Sequence, residues 1–189
     1  MNNFNLIISG VGGQGTITLL KVIGRAALLQ GLDFKSSELH GLSQRGGSVK
    51  THIRIGENIS SPLIIPGETD LIIGLEPQEA LRTKSFAGKK TVFLINEKVI
   101  PVQGKEVDKS EIEKWIKKIP GEVKLINAFS ITQEKLKNSL YSGIFLLGYA
   151  VHNKLIPLSI DSVKKALEET IKPDYIEENL KALDLAKGF

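Results

Sequence analysis

Hydrophobic and polar positions along this chain follow two periods, and the switches between them mark the elements. Residues 4–9 are a short apolar run ending at Gly10, which predicts a strand. Ile17, Leu20, Gly24, Ala27 and Leu28 then recur at helical spacing, so 16–29 is expected to be a helix with Gly31 just past its end. A second strand is predicted over 34–39. Over 48–55 the period is two: Val49, Thr51, Ile53 and Ile55 fall on one face, Lys50, His52 and Arg54 on the other. The wholly apolar stretch 71–75 and the strand predicted over 91–96 suit a parallel sheet covered on both sides, with a short helix over 79–84 between them.

In the second half, Ser110 with Glu113 reads as a capping box that opens a helix. Ile112, Trp115, Ile116 and Ile119 form its apolar stripe, and Pro120-Gly121 stops it. A strand is expected over 123–129, and helix from Thr132 onward. Residues 141–153 are nearly all apolar, which predicts a buried or interfacial helix; 159–171 is amphipathic, and Asp174 with Glu177 opens the last helix. This order predicts an α/β fold: a doubly wound, Rossmann-like, mostly parallel sheet with a helical C-terminal segment, in one domain over 1–189.

Composition narrows the chemistry. Of 189 residues, 41% are hydrophobic and 24% charged, an ordinary globular balance. The longest apolar runs are far too short to span a bilayer, so no membrane association is expected. The opening lacks the basic region of a signal peptide, and a cytoplasmic location is expected. There is no cysteine, which excludes disulfides, thiolate zinc sites, a cysteine nucleophile and cysteine-ligated iron–sulfur clusters within this chain. Redox chemistry would therefore rest on an organic cofactor or another subunit. The net charge of +4 comes from lysines scattered over the later helices with no aromatic platform between them, so a solvated surface is expected rather than a nucleic-acid site.

Two segments carry candidate chemistry. Gly10-Val-Gly12-Gly13-Gln14-Gly15 satisfies G-x-G-x-x-G between a strand and a helix, where such a loop lets the backbone and the helix N-terminus approach a pyrophosphate. A tight ligand-free turn explains it equally well. An NTPase P-loop is missing, because Thr16 stands where lysine is needed. A nicotinamide site would want an acid at the end of the second strand; Asp33 begins that strand and Glu38 ends it, so an independent dinucleotide-binding oxidoreductase is the alternative reading.

The second segment is Glu38-Leu-His40-Gly-Leu-Ser-Gln44-Arg45-Gly46-Gly47, expected on the ligand-facing rim of the sheet. An acid, an imidazole, an amide and a guanidinium lie there among glycines, as in a loop built for docking or ligand contact. The basic residues Lys50, His52 and Arg54 read as an exposed sheet face, Glu76 as a favourable charge at a helix N-terminus, and His152 as structural.

Taken together, GVGGQG, ELHGLSQRGGSVKTHIRIG, SPLIIPGETDLIIGLEPQEALR and ENLKALDLAKG resemble the gamma-type domain of 2-oxoacid:ferredoxin oxidoreductases, and are most similar to the indolepyruvate-type beta subunit, over residues 5–188. The resemblance implies a small subunit, inactive alone, of an enzyme that decarboxylates a 2-oxoacid on thiamine diphosphate. Such enzymes pass electrons through 4Fe-4S clusters to ferredoxin and release an acyl-CoA. Thiamine diphosphate and the clusters would sit in a large partner subunit, making a hetero-oligomer that meets ferredoxin as a complex. The resemblance puts Gly10, Gly12, Gly13, Gln14 and Gly15 on the cofactor side. It gives Glu38, His40, Gln44, Arg45, Gly46 and Gly47 interface or active-site-loop roles, with no catalytic acid–base pair and no metal site in this chain. In some relatives the domain is associated with coenzyme A; whether the glycine loop touches coenzyme A, thiamine diphosphate or only protein stays open.

Overall fold

The computed structural model describes residues 3–40, 46–100 and 108–189. Six strands form one sheet: β1 Phe4–Val11, β2 Asp33–His40, β3 Ser48–Gly56, β4 Thr69–Gly74, β5 Ala87–Asn96 and β6 Glu122–Ile126. Their order across the sheet is β2-β3-β1-β4-β5-β6. β1, β4, β5 and β6 pair in parallel, whereas β3 runs antiparallel to both β1 and β2. The sheet is thus mixed, with β3 reversed between two strands that point the same way. Leu6, Ile7 and Ile8 are all fully buried, because helices or loops cover both faces.

The larger core lies on the face of Leu6, Ile8, Leu71 and Ile73. Over it pack α1 Thr16–Leu29, α5 Ser142–His152, α6 Ile160–Thr170 and α7 Ile176–Leu185. The other face carries a smaller cluster of Ile7, Ile64, Ile72, Ala80, Phe93 and Ile95. It is covered by α2 Pro77–Leu81, a 3-10 turn at Lys84–Phe86 and the loop holding Ile64. Two further helices, α3 Lys109–Ile116 and α4 Ala128–Leu136, flank β6 in sequence. No helix among the described residues is long and apolar enough to cross a membrane.

Four expectations change. The face of Lys50, His52 and Arg54 is not an exposed one. His52 is buried, its Nδ1 accepts the Ile64 N–H at 3.2 Å, and its ring meets Phe86 edge-on at 4.7 Å. The loop after β3 folds back over this face, which the local alternation could not show. α3 is capped by Asp108, whose side chain accepts the Ser110 N–H at 2.8 Å, not by Ser110. The strand predicted to 129 stops at Ile126, because Asn127 caps α4 by accepting from the Ser130 N–H at 3.2 Å. α2 starts earlier than 79, with Glu76 as its cap and Pro77 in its first turn.

Candidate functional site

β1 delivers the chain to the C-terminal rim of its parallel neighbours and turns there into α1. Gly15 caps α1 in the left-handed region at φ 85°, and Gly13 has φ 104°, so a side chain at either would be strained. Gly10 is required for a different reason: a Cβ there would stand 2.9 Å from Gln14 Oε1 and 3.1 Å from Leu75 Cβ. Gln14 folds back into its own loop. Its Oε1 accepts the Val11 N–H at 2.7 Å and its Nε2 donates to the Leu75 carbonyl at 3.1 Å. The same carbonyl accepts from Asn96 Nδ2 at 3.3 Å, which ties the ends of β1, β4 and β5 together. No described side chain caps α1, so its first-turn N–H groups are left without a side-chain acceptor, as an anion site requires.

The second predicted segment meets the first. Gly12 N donates to the Gly47 carbonyl at 2.8 Å, and Gly46 N to the Gly12 carbonyl at 3.4 Å. Just beyond, Ser48 Oγ donates to Glu79 Oε2, linking this segment to α2. Glu76 is buried beside it and accepts the Glu79 N–H at 2.9 Å, the capping role its sequence suggests. Burial raises the Glu76 carboxyl above its usual range; backbone N–H groups of Glu79, Ile100 and Gln78 oppose the rise, and the Glu79 charge adds to it. Glu38 and His40 lie in β2, with Cα positions opposite Thr51 and Val49. Gln44 and Arg45 lie outside the described residues.

Against the outer side of the glycine loop opens a cavity of about 590 Å³, a volume that suits a small-molecule ligand. Gly13 and Gly15 form part of its wall, where a Cβ would meet only open space. Lys21 of α1, Asn138, Tyr141, Lys172 and Tyr175 line the rest. Sequence reasoning missed these five. They come from three separated segments, α1, 138–141 and 172–175, and no local pattern joins them.

The sheet order weighs against the dinucleotide alternative. In a Rossmann site the second strand lies beside the first, so its terminal acid reaches the ribose. Here β3 intervenes, which moves β2 and Glu38 two strand spacings, roughly 10 Å, from β1.

The described side chains contain no group of three or more His, Cys, Asp or Glu able to hold a metal. A family model, pyruvate ferredoxin/flavodoxin oxidoreductase, matches residues 5–189. An indolepyruvate oxidoreductase subunit IorB of Archaeoglobus fulgidus is 38% identical over 96% of this chain and 92% of its own length. The common gamma subunit of the pyruvate/ketoisovalerate oxidoreductases of Pyrococcus abyssi is 28% identical over 92% of this chain and 89% of its own. Among solved structures, the pyruvate oxidoreductase subunit PORC of Thermotoga maritima shares the fold with a TM-score of 0.74 at 17% identity, over 100% of this chain and 97% of that one. The 2-oxoglutarate:ferredoxin oxidoreductase of Magnetococcus marinus, solved with 2-oxoglutarate, coenzyme A and succinyl-CoA, also gives 0.74 at 19% identity. All of this chain corresponds there to 31% of a longer one. The chain belongs to the pyruvate ferredoxin/flavodoxin oxidoreductase family and is the small subunit of an oxoacid:ferredoxin oxidoreductase.

Proposed function

We propose that this subunit serves the coenzyme A side of the oxidation of indolepyruvate or a related aryl pyruvate, docked in the cytoplasm on a larger chain. That chain carries thiamine diphosphate, which supplies the decarboxylation, and iron–sulfur clusters, which pass electrons to ferredoxin. With no cysteine, this chain offers no thiolate to a cluster, in keeping with that division. The observation that carries the reading is the joining of the two glycine segments beside a cavity on one rim of the sheet. The uncapped N-terminus of α1, with Lys21 and Lys172 nearby, suits the phosphates of coenzyme A. Gly12, Gly13 and Gly15 let a ligand approach the backbone, Gly10 and Gln14 hold that loop in shape, and Glu38, His40, Gln44, Arg45, Gly46 and Gly47 serve beside it as an active-site loop.

The test is reconstitution. The chain alone gives no turnover. Co-expressed with the large thiamine-binding subunit of its organism, it reduces ferredoxin when given indolepyruvate and coenzyme A. Calorimetry of the same complex registers coenzyme A and no heat with NAD. Failure to reduce ferredoxin with any 2-oxoacid would overturn the reading, and tight NAD binding by the isolated chain would favour the dinucleotide alternative.

A further inference from the structure

The two faces of the sheet are covered unequally. Four long helices close the face of Leu6 and Ile8, while the described cover over Ile7, Ile72, Phe93 and Ile95 is one short helix, a 3-10 turn and a loop. Large apolar side chains stand exposed there: Leu63 at 58% and Ile65 at 62% on the loop, and Trp115 at 50% on α3 beside α2. The 3-10 turn Lys84–Phe86 links the loop to Trp115. Ile64, between Leu63 and Ile65, packs inward, and Phe86 of the 3-10 turn accepts the Gly67 N–H at 3.1 Å. From the same turn, Lys84 Nζ lies 5.1 Å from the Trp115 ring centroid. A cavity of about 390 Å³ between α2 and α3 opens beside the indole, with Leu81 and Ile112 in its wall.

The border of this patch is cationic. Lys118 Nζ lies 5.0 Å from the Trp115 ring, and Arg82 is mostly exposed although its Nε is 3.3 Å from Glu79. Lys84 and Lys118 form no ion pair among the described residues, so both charges remain available to a carboxylate. Among the described residues, the one acid lining the cavity is Glu111. An exposed tryptophan with apolar neighbours and a charged border has the make-up of a protein interface.

We infer that this thin face is where the large subunit docks, presenting an apolar side chain to the cavity beside Trp115 and carboxylates to Lys84, Lys118 and Arg82. The inference rests on the subunit reading above and adds the surface. Charge complementarity selects the occupant: a second copy of this face would set the same cations against each other.

Hydrogen–deuterium exchange on the purified complex, compared with the isolated chain, tests it without any substitution. Protection is expected in peptides covering 61–68, 80–86 and 110–118. Variants give the second arm. Trp115→Ala and the pair Leu63→Ser with Ile65→Ser should each weaken association by about 30-fold. Lys84→Glu with Lys118→Glu should weaken it in low salt more than in high salt. The control Leu140→Ser, beside the glycine loop, leaves association unchanged. A wild-type pair that associates with protection only elsewhere, and tolerates these variants, overturns this surface and leaves the subunit reading standing. A wild-type pair that does not associate overturns both.

Discussion

Glu76 shows how much one side chain can hold at the rim. It leaves β4, caps α2 and lies buried next to Glu79, which in turn accepts from Ser48 Oγ. Burial raises its carboxyl from the ordinary 4.5. A raised acid stabilises the fold fully below its unfolded value, and that contribution is lost as pH rises through the folded value. Glu76→Gln keeps an acceptor for the Glu79 N–H and removes the ionisation. The stability of the wild type relative to this variant should therefore fall as pH rises above 4.5, read from urea midpoints across a pH series. Gln14 makes a simpler case. Gln14→Ala leaves the Val11 N–H without its acceptor and the Leu75 carbonyl with Asn96 alone, at a cost of about 1–3 kcal/mol. Chemical denaturation would register that loss, and coenzyme A affinity of the complex should fall with it. The capping role of Glu76 was legible because an acid before Pro77 is a local signal. The burial of His52 was not, because its cover comes from Ile64 and Phe86, distant in sequence.

At the scale of elements, period and punctuation carried most of the reading. The bounds of α1 match the spacing of Ile17, Leu20, Ala27 and Leu28, and Gly31 follows in the left-handed region at φ 72°. The ends that shifted did so by competition among caps. Asp108 and Ser110 could each open α3, and the carboxylate prevails because it accepts both the Ser110 N–H and the Ser110 hydroxyl, at 2.8 and 2.9 Å. Asp108→Ala should accordingly cost about 1 kcal/mol, whereas Ser110→Ala should cost less than about half of that. Thermal unfolding of the two variants side by side decides between the caps, and equal losses would restore Ser110 to the role its spacing suggests. Strand direction is the feature that periodicity cannot carry. Alternating residues in β3 look the same whichever way the strand runs and wherever it sits, and its insertion between β1 and β2 is what separates this sheet from a dinucleotide-binding one.

At the scale of the molecule, the C-terminal helices form the wall of the cavity beside the glycine loop, so their packing bears on the site. α5 approaches α7 through Gly148. A Cβ there would stand 2.4 Å from the Leu183 carbonyl oxygen and 3.1 Å from Ala186 Cβ, both on rigid helical backbone that cannot yield. The apolar run 141–153 made a buried helix legible, but the glycine's reason lies in a neighbour some thirty-five residues on, beyond any local pattern. Gly148→Ala must push α7 outward or expel Gly148's turn, at a cost of about 1–3 kcal/mol or more. The displacement reaches the ligand side, because Tyr141 and Ile144 at the start of α5 and Asn179 of α7 line the same cavity. The variant should lose stability in denaturant and lose protection from hydrogen exchange along α7 first. In the reconstituted complex its coenzyme A affinity should drop while docking on the large subunit, through the opposite face, stays at the wild-type level. Equal loss of both would mean that the two faces do not act independently.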